Sequence, residues 1–321
     1  MSLQLPNKWL WDFWLAQDGP DYHLFYLQSP QQPYQVFRHF NVSVGHAVSQ
    51  DLINWKVLPD ALAPSWGVPH VWDNYTTWTG SVFRHDGRWY MFYTGAMMEE
   101  RAIIQRIGVA VSSDLIHWEK HPGNPIVVAD PKWYELLDLT QWHDQAWRDP
   151  WVFEHDGKFH MLVTARVKEG PGHARGVIGH CYSDDLIHWT VAEPVSAPGE
   201  FGHLEVPQWV EIEGRWYVFF CTGHNAYSEA RRARGVELVT GTHYLVGDAP
   251  LGPFKLLTDE FLYADPLGTY YAGKVIRDPK GNWVLMTSHS HAPEDRFVGQ
   301  LANPVPIKVE ADGRLSVVSR F

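Results

Sequence analysis

The chain has 321 residues, of which 45% are hydrophobic and 14% aromatic, so it can bury a sizeable core and is not expected to be disordered. Its 37 acidic and 26 basic residues give a formal net charge of −11, which argues against nucleic acid and anionic membranes as partners. No leader-like segment opens the chain and no apolar run reaches transmembrane length. These two features predict a cytoplasmic protein that does not enter a membrane.

A glycine turn followed by an aromatic-rich strand recurs five times along the chain. The turn glycines are spaced 57 to 70 residues apart, at Gly19, Gly87, Gly157, Gly214 and Gly281. The strands that follow them begin at Tyr22, Trp89, Phe159, Trp216 and Trp283. A hairpin repeated at a nearly fixed period indicates five copies of one supersecondary unit.

A second repeat, Ser-x-Asp-Leu-Ile-(Asn/His)-Trp, follows each of the first three hairpins. It occupies residues 49–55, 112–118 and 183–189, and each copy comes after a short β-rich run. A unit therefore contains four strands in succession. In the fourth unit the third strand is predicted at residues 240–246, and the fifth unit ends with strands at 296–301 and 306–309.

This organisation predicts an all-β fold, a five-bladed β-propeller of four-stranded antiparallel blades that fills residues 1–321 as a single domain. Closing the blades into a ring protects the sheet edges, as such an all-β protein requires. Residues 131–143, between the second and third blades, are predicted to form a short helix or a loop.

Three acids fall at one level of the innermost strands. Counting back seven to nine residues from the turn glycine reaches Asp12 in unit one, Asp149 in unit three and Glu205 in unit four. Because the first strand of each blade lines the central channel, we expect these carboxyl groups to converge at one mouth of the channel. Carboxylates concentrated in one place are costly for stability alone, which marks a candidate site. Arg148 is expected to keep Asp149 ionised by pairing with it.

Two carboxyl groups on either side of a glycosidic bond are the minimum apparatus for glycoside hydrolysis. One group remains ionised and attacks the sugar or activates water, while the other stays protonated and donates its proton to the leaving oxygen. A third carboxylate can hold substrate hydroxyls. The acids Asp12, Asp149 and Glu205 therefore predict a glycosidase, and a small-molecule or oligosaccharide substrate.

Other polar residues are interpreted as structural. The repeated acids Asp51, Asp114 and Asp185 lie in turns, where short carboxylates cap local backbone groups. Cys181 and Cys221 lie in apolar, strand-like segments and are predicted to be buried free thiols. The histidine and cysteine spacings match no zinc site, so no metal and no cofactor are predicted.

Four segments around these residues carry a family resemblance. They are residues 45–64, which include His46, and the shorter runs Trp78-Thr-Gly-Ser81, Arg148-Asp-Pro150 and Glu205-Val-Pro207. Together they resemble glycoside hydrolase family 32, the β-fructosidases. The segment Trp11-Asp-Phe-Trp14 is similar instead to the levansucrase-like family 68. Family 32 members also carry a C-terminal β-sandwich, which this chain is expected to lack.

The resemblance implies a role for each acid. Asp12 would be the nucleophile, Glu205 the acid/base and Asp149 the transition-state stabiliser. A retaining mechanism on terminal β-fructofuranosyl or similar furanosyl linkages follows, with the two catalytic carboxyls about 5–5.5 Å apart. His46, Ser81 and Arg148 would contact substrate.

Aromatic side chains near the acids are candidates for stacking on sugar faces. These are Trp11, Trp14, Trp78, Tyr270 and Tyr271, for which ordinary packing between blades is the alternative. Alternatives also exist for the function: an inverting arabinofuranosidase or xylosidase of the related family 43, which brings the option of a channel calcium, a fructosyltransferase, or a non-catalytic sugar-binding propeller. The sequence carries no interface signature from which to predict an oligomeric state.

Overall fold

The computed structural model describes residues 3–318, which form five antiparallel sheets arranged as the blades of a propeller. Blade one contains β1–β4, at Lys8–Asp18, Asp21–Pro30, Ser43–Ser49 and Lys56–Leu62. Blade two contains β5–β8, at Thr76–His85, Arg88–Ala96, Gln105–Ser112 and Glu119–Lys120. Blade three contains β9–β12, at Trp147–His155, Lys158–Arg166, Gly176–Ser183 and Trp189–Ala192.

The last two blades each carry a fifth strand. Blade four contains β13–β17, at Glu205–Ile212, Arg215–Thr222, Thr240–Gly247, Lys255–Leu256 and Tyr263–Asp265. Blade five contains β18–β22, at Tyr270–Arg277, Trp283–Ala292, Arg296–Leu301, Val305–Val309 and Leu315–Val317. Within the described residues, one short helix, α1, spans Glu229–Ala233, and three 3₁₀ turns lie at Gln35–His39, Gly172–Ala174 and His224–Ala226.

The predicted five-bladed propeller is confirmed, and its first three blades have the predicted four strands. Blades four and five also follow the four-strand order, and each has one further short strand beside it. There β17 pairs with β15, and β20 pairs with β19 next to β21. Residues 131–143 form turns and irregular backbone rather than a helix. The predicted domain limits, residues 1 and 321, lie outside the described residues.

The hairpins between the first two strands of the blades form because their turn residues tolerate left-handed backbone. At the tip of blade two, Asp86 and Gly87 have φ of 46° and 74°, and at the tip of blade three Asp156 and Gly157 have φ of 50° and 70°. Two-residue turns with positive φ at both positions match the right-handed twist of the flanking strands. The Asp-Gly pairs therefore set the pairing of the inner strands in blades two and three, and Glu213-Gly214, with φ of 52° and 76°, does the same in blade four.

The repeated Ser-x-Asp-Leu segments are capped turns, as predicted. In the third copy Ser183 Oγ accepts hydrogen bonds from the backbone N–H groups of Asp185 and Leu186, and Asp185 Oδ1 accepts from those of Ile187 and His188. Leu186 has a φ of 67° and is fully buried, so the capped turn drives a leucine between blades at some backbone cost. The copies at Ser49 and Ser112 make the same bonds.

The core consists of separate apolar clusters between neighbouring blades. Trp14, Phe25 and Met91 belong to the cluster between blades one and two, and Phe92 and Val163 belong to the next one. Cys181 and Cys221 are buried and free, as predicted. Packing blade against blade leaves the innermost strands free to face the central axis.

The ring closes between blade five and blade one. Leu3 pairs with Leu301 of β20, and the Tyr22 hydroxyl donates a 3.1 Å hydrogen bond to the carbonyl oxygen of Arg277. The Trp9 ring meets the Phe297 ring edge to face, with centroids 5.8 Å apart. Within residues 3–318 no helix has the length and apolar character needed to cross a bilayer.

Candidate active site

All five innermost strands break their pairing at the same level. The register shifts fall within Leu10–Phe13, Trp78–Gly80, Arg148–Trp151, Glu205–Gln208 and Tyr271–Lys274. These β-bulges insert an extra residue, bend the strand and re-aim its side chains. Because the bulges lie at one level around the axis, they present the side chains beside them to a common space.

Three of the bulges hold a non-glycine residue in left-handed backbone. Asp149 has a φ of 60°, Val206 of 49° and Ala272 of 53°. Such conformations cost roughly 1–3 kcal/mol each and persist only where the surroundings impose them. Here the surroundings are the bulged strands, and the strain accompanies the placement of Asp149 at the channel mouth.

The bulges surround a cavity of about 680 Å³. Seven residues predicted from the sequence line it: Trp11, Asp12, Trp78, Arg148, Asp149, Glu205 and Tyr271. A cavity of this size accommodates a small sugar, and a few convergent polar groups in it provide orientation. The structure therefore brings the three acids into one site.

Four predicted contact residues lie elsewhere. Trp14 is fully buried and stacks on Phe25, because it comes after the bulge and faces the space between blades. His46 is also fully buried, on the other side of Phe25, with its Nε2 2.9 Å from His23 Nδ1. Their expected contact with substrate is therefore corrected to a role in packing.

Ser81 and Tyr270 are the other two corrections. Ser81 is buried, and its Oγ accepts a hydrogen bond from the backbone N–H of Val152, which ties blade two to blade three. Tyr270 stacks on Tyr263, with ring centroids 5.1 Å apart, and lines a separate, smaller cavity. The side chain at each position faces away from the channel because strand residues alternate between faces.

Glu205 is held by two strong donors. Arg148 Nη2 donates to Oε1 at 2.7 Å, and the Tyr271 hydroxyl donates to Oε2 at 2.6 Å. Burial alone would raise the pKa of Glu205, but the charges of His203 and Arg148 and these hydrogen bonds outweigh burial and lower that pKa to about 2. Burial also lowers the pKa of His203, so Arg148 is the permanent positive charge of the group.

Asp12 has a different environment. Within residues 3–318 its side chain receives one hydrogen bond, from Thr79 Oγ1 to Oδ2 at 2.8 Å. Burial, together with the negative charges of Asp149 and Glu205, raises the pKa of Asp12 to about 7. Oδ1 of Asp12 is left available to a reacting group in the cavity.

Asp149 is fixed by neutral donors. Its Oδ2 accepts from Thr164 Oγ1 at 2.7 Å and from the backbone N–H of Val206 at 3.1 Å. Arg148 does not dominate this carboxyl as expected, because its Nε lies 3.6 Å away while its terminal nitrogens bind Glu205 and Asp144. Burial raises the pKa of Asp149 against the opposing charge of Arg148, which corrects the expected effect of that pairing.

The remaining cavity wall comes from loops and outer turns that the sequence did not identify. It includes Arg38, His39 and Phe40 from the 3₁₀ turn after β2, and Phe297 from β20. No repeat marks these positions, because they lie outside the repeated glycine hairpins and Ser-x-Asp-Leu turns. Arg101, Ala102 and Asp295, which also line the cavity, have left-handed backbone, with φ of 55°, 60° and 54°.

Lys274 lies beneath the cavity floor and was also missed. It is 2% exposed, and its Nζ donates a 2.7 Å hydrogen bond to the carbonyl oxygen of Val206. Burial lowers the pKa of Lys274 to about 8, although the nearby thiol of Cys221 and the carboxyls of Asp149 and Asp12 favour its charged form. The sequence could have pointed to Lys274, because it lies two residues beyond Ala272 on β18 and a lysine in an inner strand is unusual.

Across the described part of the chain, no group of three or more histidine, cysteine or acidic side chains is arranged to hold a metal ion. The carboxyl groups in the cavity are paired instead with Arg148 and with hydroxyl donors.

A propeller whose channel mouth gathers three carboxyl groups is the architecture of a carbohydrate-active enzyme family. The chain belongs to glycosyl hydrolases family 32: the model of the N-terminal domain of that family matches residues 8–316. The propeller described above is thus the family's N-terminal domain.

Individual relatives match the chain at low sequence identity. The chain is 28% identical over 274 residues to sucrose-6-phosphate hydrolase of Bacillus subtilis, a match that covers 82% of this chain and 51% of that protein. It is 32% identical over 287 residues to the insoluble β-fructofuranosidase isoenzyme 2 of Oryza sativa subsp. indica, covering 80% and 43%. The chain thus spans about half the length of the curated relatives that it matches.

The fold also matches solved structures. Inulosucrase from Halalkalicoccus jeotgali, bound to kestose, superposes with a TM-score of 0.79 at 20% identity, over 98% of this chain and 87% of that one. At this identity the likeness concerns the fold. The prediction of a single domain without a β-sandwich stays a prediction.

Proposed function

We propose that this chain is a retaining glycosidase that cleaves terminal β-fructofuranosyl or similar furanosyl linkages. The observation that carries the proposal is the placement of Asp12 and Glu205 in one cavity with Asp149 between their strands in the ring. Membership of family 32, and relatives named as β-fructofuranosidase and sucrose-6-phosphate hydrolase, support the fructosyl specificity.

The first chemical step is a displacement at the anomeric carbon. Asp12 Oδ1 attacks that carbon and forms a carbon–oxygen bond, while the bond to the leaving oxygen breaks and Glu205 gives this oxygen its proton. In the second step Glu205 takes a proton from water, and the resulting oxygen displaces Asp12. The product keeps the configuration of the substrate because the anomeric carbon is inverted twice.

Asp149 and Arg148 serve the same reaction without changing covalently. The fixed carboxyl of Asp149 can accept hydrogen bonds from sugar hydroxyls and stabilise positive charge on the ring. Arg148 and Tyr271 orient the Glu205 carboxyl through both of its oxygens. The two donors also stabilise Glu205 as an anion, the form required to accept a proton from water in the second step.

The free cavity favours a proton on Asp12 and a charge on Glu205, whereas the first step needs the opposite arrangement. Both arrangements contain one proton, so the carboxyl pair has to be treated as a unit. The productive form arises when that proton passes from Asp12 to Glu205 as substrate fills the site. The proposal therefore includes a proton transfer between the two carboxyls before the attack.

The direct test replaces each catalytic carboxyl by its amide. We expect Asp12→Asn and Glu205→Gln to lower kcat/KM by at least about a thousandfold, since a positioned nucleophile and acid each contribute on this scale. Circular dichroism should show an intact fold, and the exposed hairpin variant Asp86→Asn should keep full activity. Near-normal turnover by either catalytic variant would refute the assignment.

Product stereochemistry distinguishes the remaining mechanisms. A panel of aryl and natural furanosides, followed by NMR at early times, should show release of fructose with retained configuration. Inverted products from arabinosides would assign the chain to family 43 chemistry, and transfer of fructosyl to a second sugar would identify a transferase. Binding without turnover across the whole panel would identify a sugar-binding propeller.

A further inference from the structure

An aromatic row leads outward from the cavity across the segment between β2 and β3. The rings of Tyr34 and Phe37 meet edge to face with centroids 6.0 Å apart, and those of Phe37 and Phe40 are 6.5 Å apart. Phe40 stacks on Tyr75 with centroids 5.0 Å apart and also lines the cavity. We name Tyr34, Phe37, Phe40 and Tyr75 the aromatic ledge.

Exposure rises along the ledge. Phe40 and Tyr75 at the cavity end are half-buried, whereas Phe37 is 47% and Tyr34 is 69% exposed. A contiguous row of exposed aromatic rings that starts inside a ligand cavity is the kind of patch that marks a binding surface. The ledge therefore runs from the reacting centre to solvent.

The ledge is held in a fixed position. Gln35 Nε2 donates to the carbonyl oxygen of Asp295 at 2.6 Å, and Gln35 Oε1 accepts from the backbone N–H of Phe297 at 2.7 Å. The Arg38 guanidinium lies 3.9 Å from the Phe297 ring centroid and donates to the Gln35 carbonyl oxygen. Because the backbone of the ledge is already tied to blade five, a ligand loses little affinity in ordering it.

The chemistry of the segment fits a neutral, polyhydroxylated ligand. Between Pro30 and Asn41 it has no acidic residue, and its basic residues Arg38 and His39 face the cavity. Beside the exposed rings, Gln32 Nε2 donates a 3.4 Å hydrogen bond to the carbonyl oxygen of Phe37, and an amide side chain can both donate and accept hydrogen bonds. Aromatic faces flanked by amides suit a sugar ring, which presents C–H groups on its faces and hydroxyls at its edge.

We propose that the aromatic ledge binds the leaving-group side of an oligosaccharide, the sugar units beyond the bond that is cleaved. The inference rests on the proposed function, since it takes the terminal furanosyl unit to occupy the space over Asp12. With that unit in place, the rest of the chain leaves the cavity at its open side, where Phe40 begins the ledge. The protein is then an enzyme for oligosaccharides rather than for disaccharides alone.

The test compares substrates of different length that end in the same β-fructofuranosyl unit. For Phe37→Ala and Tyr34→Ala we expect the ratio of kcat/KM for a tetrasaccharide to that for a disaccharide to fall about three- to tenfold, the scale of one lost aromatic contact. Phe37→Tyr, which keeps an aromatic ring at this position, should have the same tetrasaccharide-to-disaccharide ratio as wild type. The matched control is Tyr182→Ala, which removes a ring at the hairpin end of β11, outside the cavity lining.

Each outcome is decisive. An unchanged ratio in Phe37→Ala and Tyr34→Ala, with active wild type, overturns the ledge and leaves the proposed function intact. Wild type that cleaves neither the disaccharide nor the tetrasaccharide overturns the proposed function, and the ledge with it. A wild-type dimer that Phe37→Ala dissociates, detected by sedimentation, with no change in the ratio, assigns these rings to a contact between two copies of the chain and overturns the sugar site.

Discussion

Asp12 and Glu205 are both half-buried and line one cavity, yet their surroundings move the two pKa values in opposite directions. Glu205 has the cation Arg148 and the Tyr271 hydroxyl, and its pKa is lowered to about 2. Asp12 has the hydroxyl of Thr79, and burial raises its pKa to about 7. Between these values the pair holds one proton, which is the protonation state that the chemistry requires.

The pH dependence of kcat/KM follows from this pair. Above about pH 7 the free enzyme loses the shared proton and can no longer protonate the leaving oxygen, so kcat/KM should fall on the alkaline side with an apparent pKa near 7. The acid side should remain flat down to the lowest pH at which the protein stays folded. The measurement is kcat/KM from pH 4 to pH 9 for a neutral disaccharide that ends in a fructofuranosyl unit, because its alcohol leaving group needs the proton and does not titrate in this range.

The pH profile of the variant Lys274→Met, compared with that of wild type, tests which charges set the pKa of Asp12. Lys274 is the buried cation that favours the charged form of Asp12, so its removal should raise the pKa of Asp12 and shift the alkaline limb to higher pH. A lysine with a structural role alone would change stability without moving the limb. A profile that stays in place, or moves to lower pH, would contradict the electrostatic link between Lys274 and Asp12.

The identity of the three acids could be predicted from the sequence because each lies at a fixed distance before a turn glycine. The direction of neighbouring side chains could not, because the bulges shift the alternation of faces at that level. Ser81 follows the bulge of blade two and Trp14 that of blade one, so both point between blades. A strict two-residue alternation, as expected for a regular strand, does not reveal where a β-bulge shifts the faces.

At the scale of one element, the Ser-x-Asp-Leu turn is stabilised by its own side chains. Burial raises the pKa of Asp185, but hydrogen bonds from the His188 ring and from two backbone N–H groups together outweigh burial and hold this pKa well below its usual range. Asp184, the preceding residue, forms only an exposed ion pair with Lys158. The turn thus contains a capping acid next to a surface acid.

Replacing Asp185 and Asp184 separately should show that the capping acid stabilises the fold and the surface acid does not. We expect Asp185→Ala to lower the free energy of unfolding by about 1–2 kcal/mol, as the loss of a capping carboxylate does, and Asp184→Ala to change it by less than about 0.5 kcal/mol. Urea denaturation at pH 7 measures both. Because the pKa of Asp185 is lowered by folding, its contribution is present above the pKa of the unfolded side chain and is lost as the pH falls. Equal effects of the two variants would contradict the cap.

Hairpins and capped turns could be predicted because their residues act locally, through positive φ at Gly87 and backbone hydrogen bonds at Asp185. The short strands β17 and β22 could not. Their residues, at Tyr263–Asp265 and Leu315–Val317, pair because a neighbouring strand has an unpaired edge, and that edge exists only in the assembled blade.

At the scale of the whole ring, blades one and three each contain a pair of hydrogen-bonded histidines. His23 Nδ1 lies 2.9 Å from His46 Nε2, and His160 Nδ1 lies 3.0 Å from His180 Nε2. Burial lowers the pKa of His46 to about 3 and that of His180 to about 4, from an ordinary value of 6.5. The fully buried His243 of blade four is lowered to about 3 as well.

These histidines should make the protein sensitive to acid. Between pH 6.5 and about 4 the unfolded chain binds protons that the folded chain excludes, so stability falls as the pH falls, by about 1.4 kcal/mol per pH unit for each proton. The raised pKa values of Asp12 and Asp149 oppose this trend, because the folded chain binds protons at these two groups that the unfolded chain releases. Thermal unfolding at pH 7, 6, 5 and 4 should show a steadily falling Tm.

His180→Gln is the variant that isolates one of these protons. It should flatten the dependence of Tm on pH relative to wild type, even where it lowers Tm at pH 7 by disturbing the contact with His160. A Tm that is constant from pH 6.5 to pH 4.5 in wild type would contradict the assignment of neutral, buried histidines.

The Gln35 contacts of the ledge have a consequence for the whole ring. They join the segment after β2 to β20, the same two blades at which the circle of sheets is completed. A ligand that binds the folded protein adds to the stability of the fold. If a sugar chain binds the ledge as proposed, substrate binding should therefore also stabilise the contact between the first and last blades.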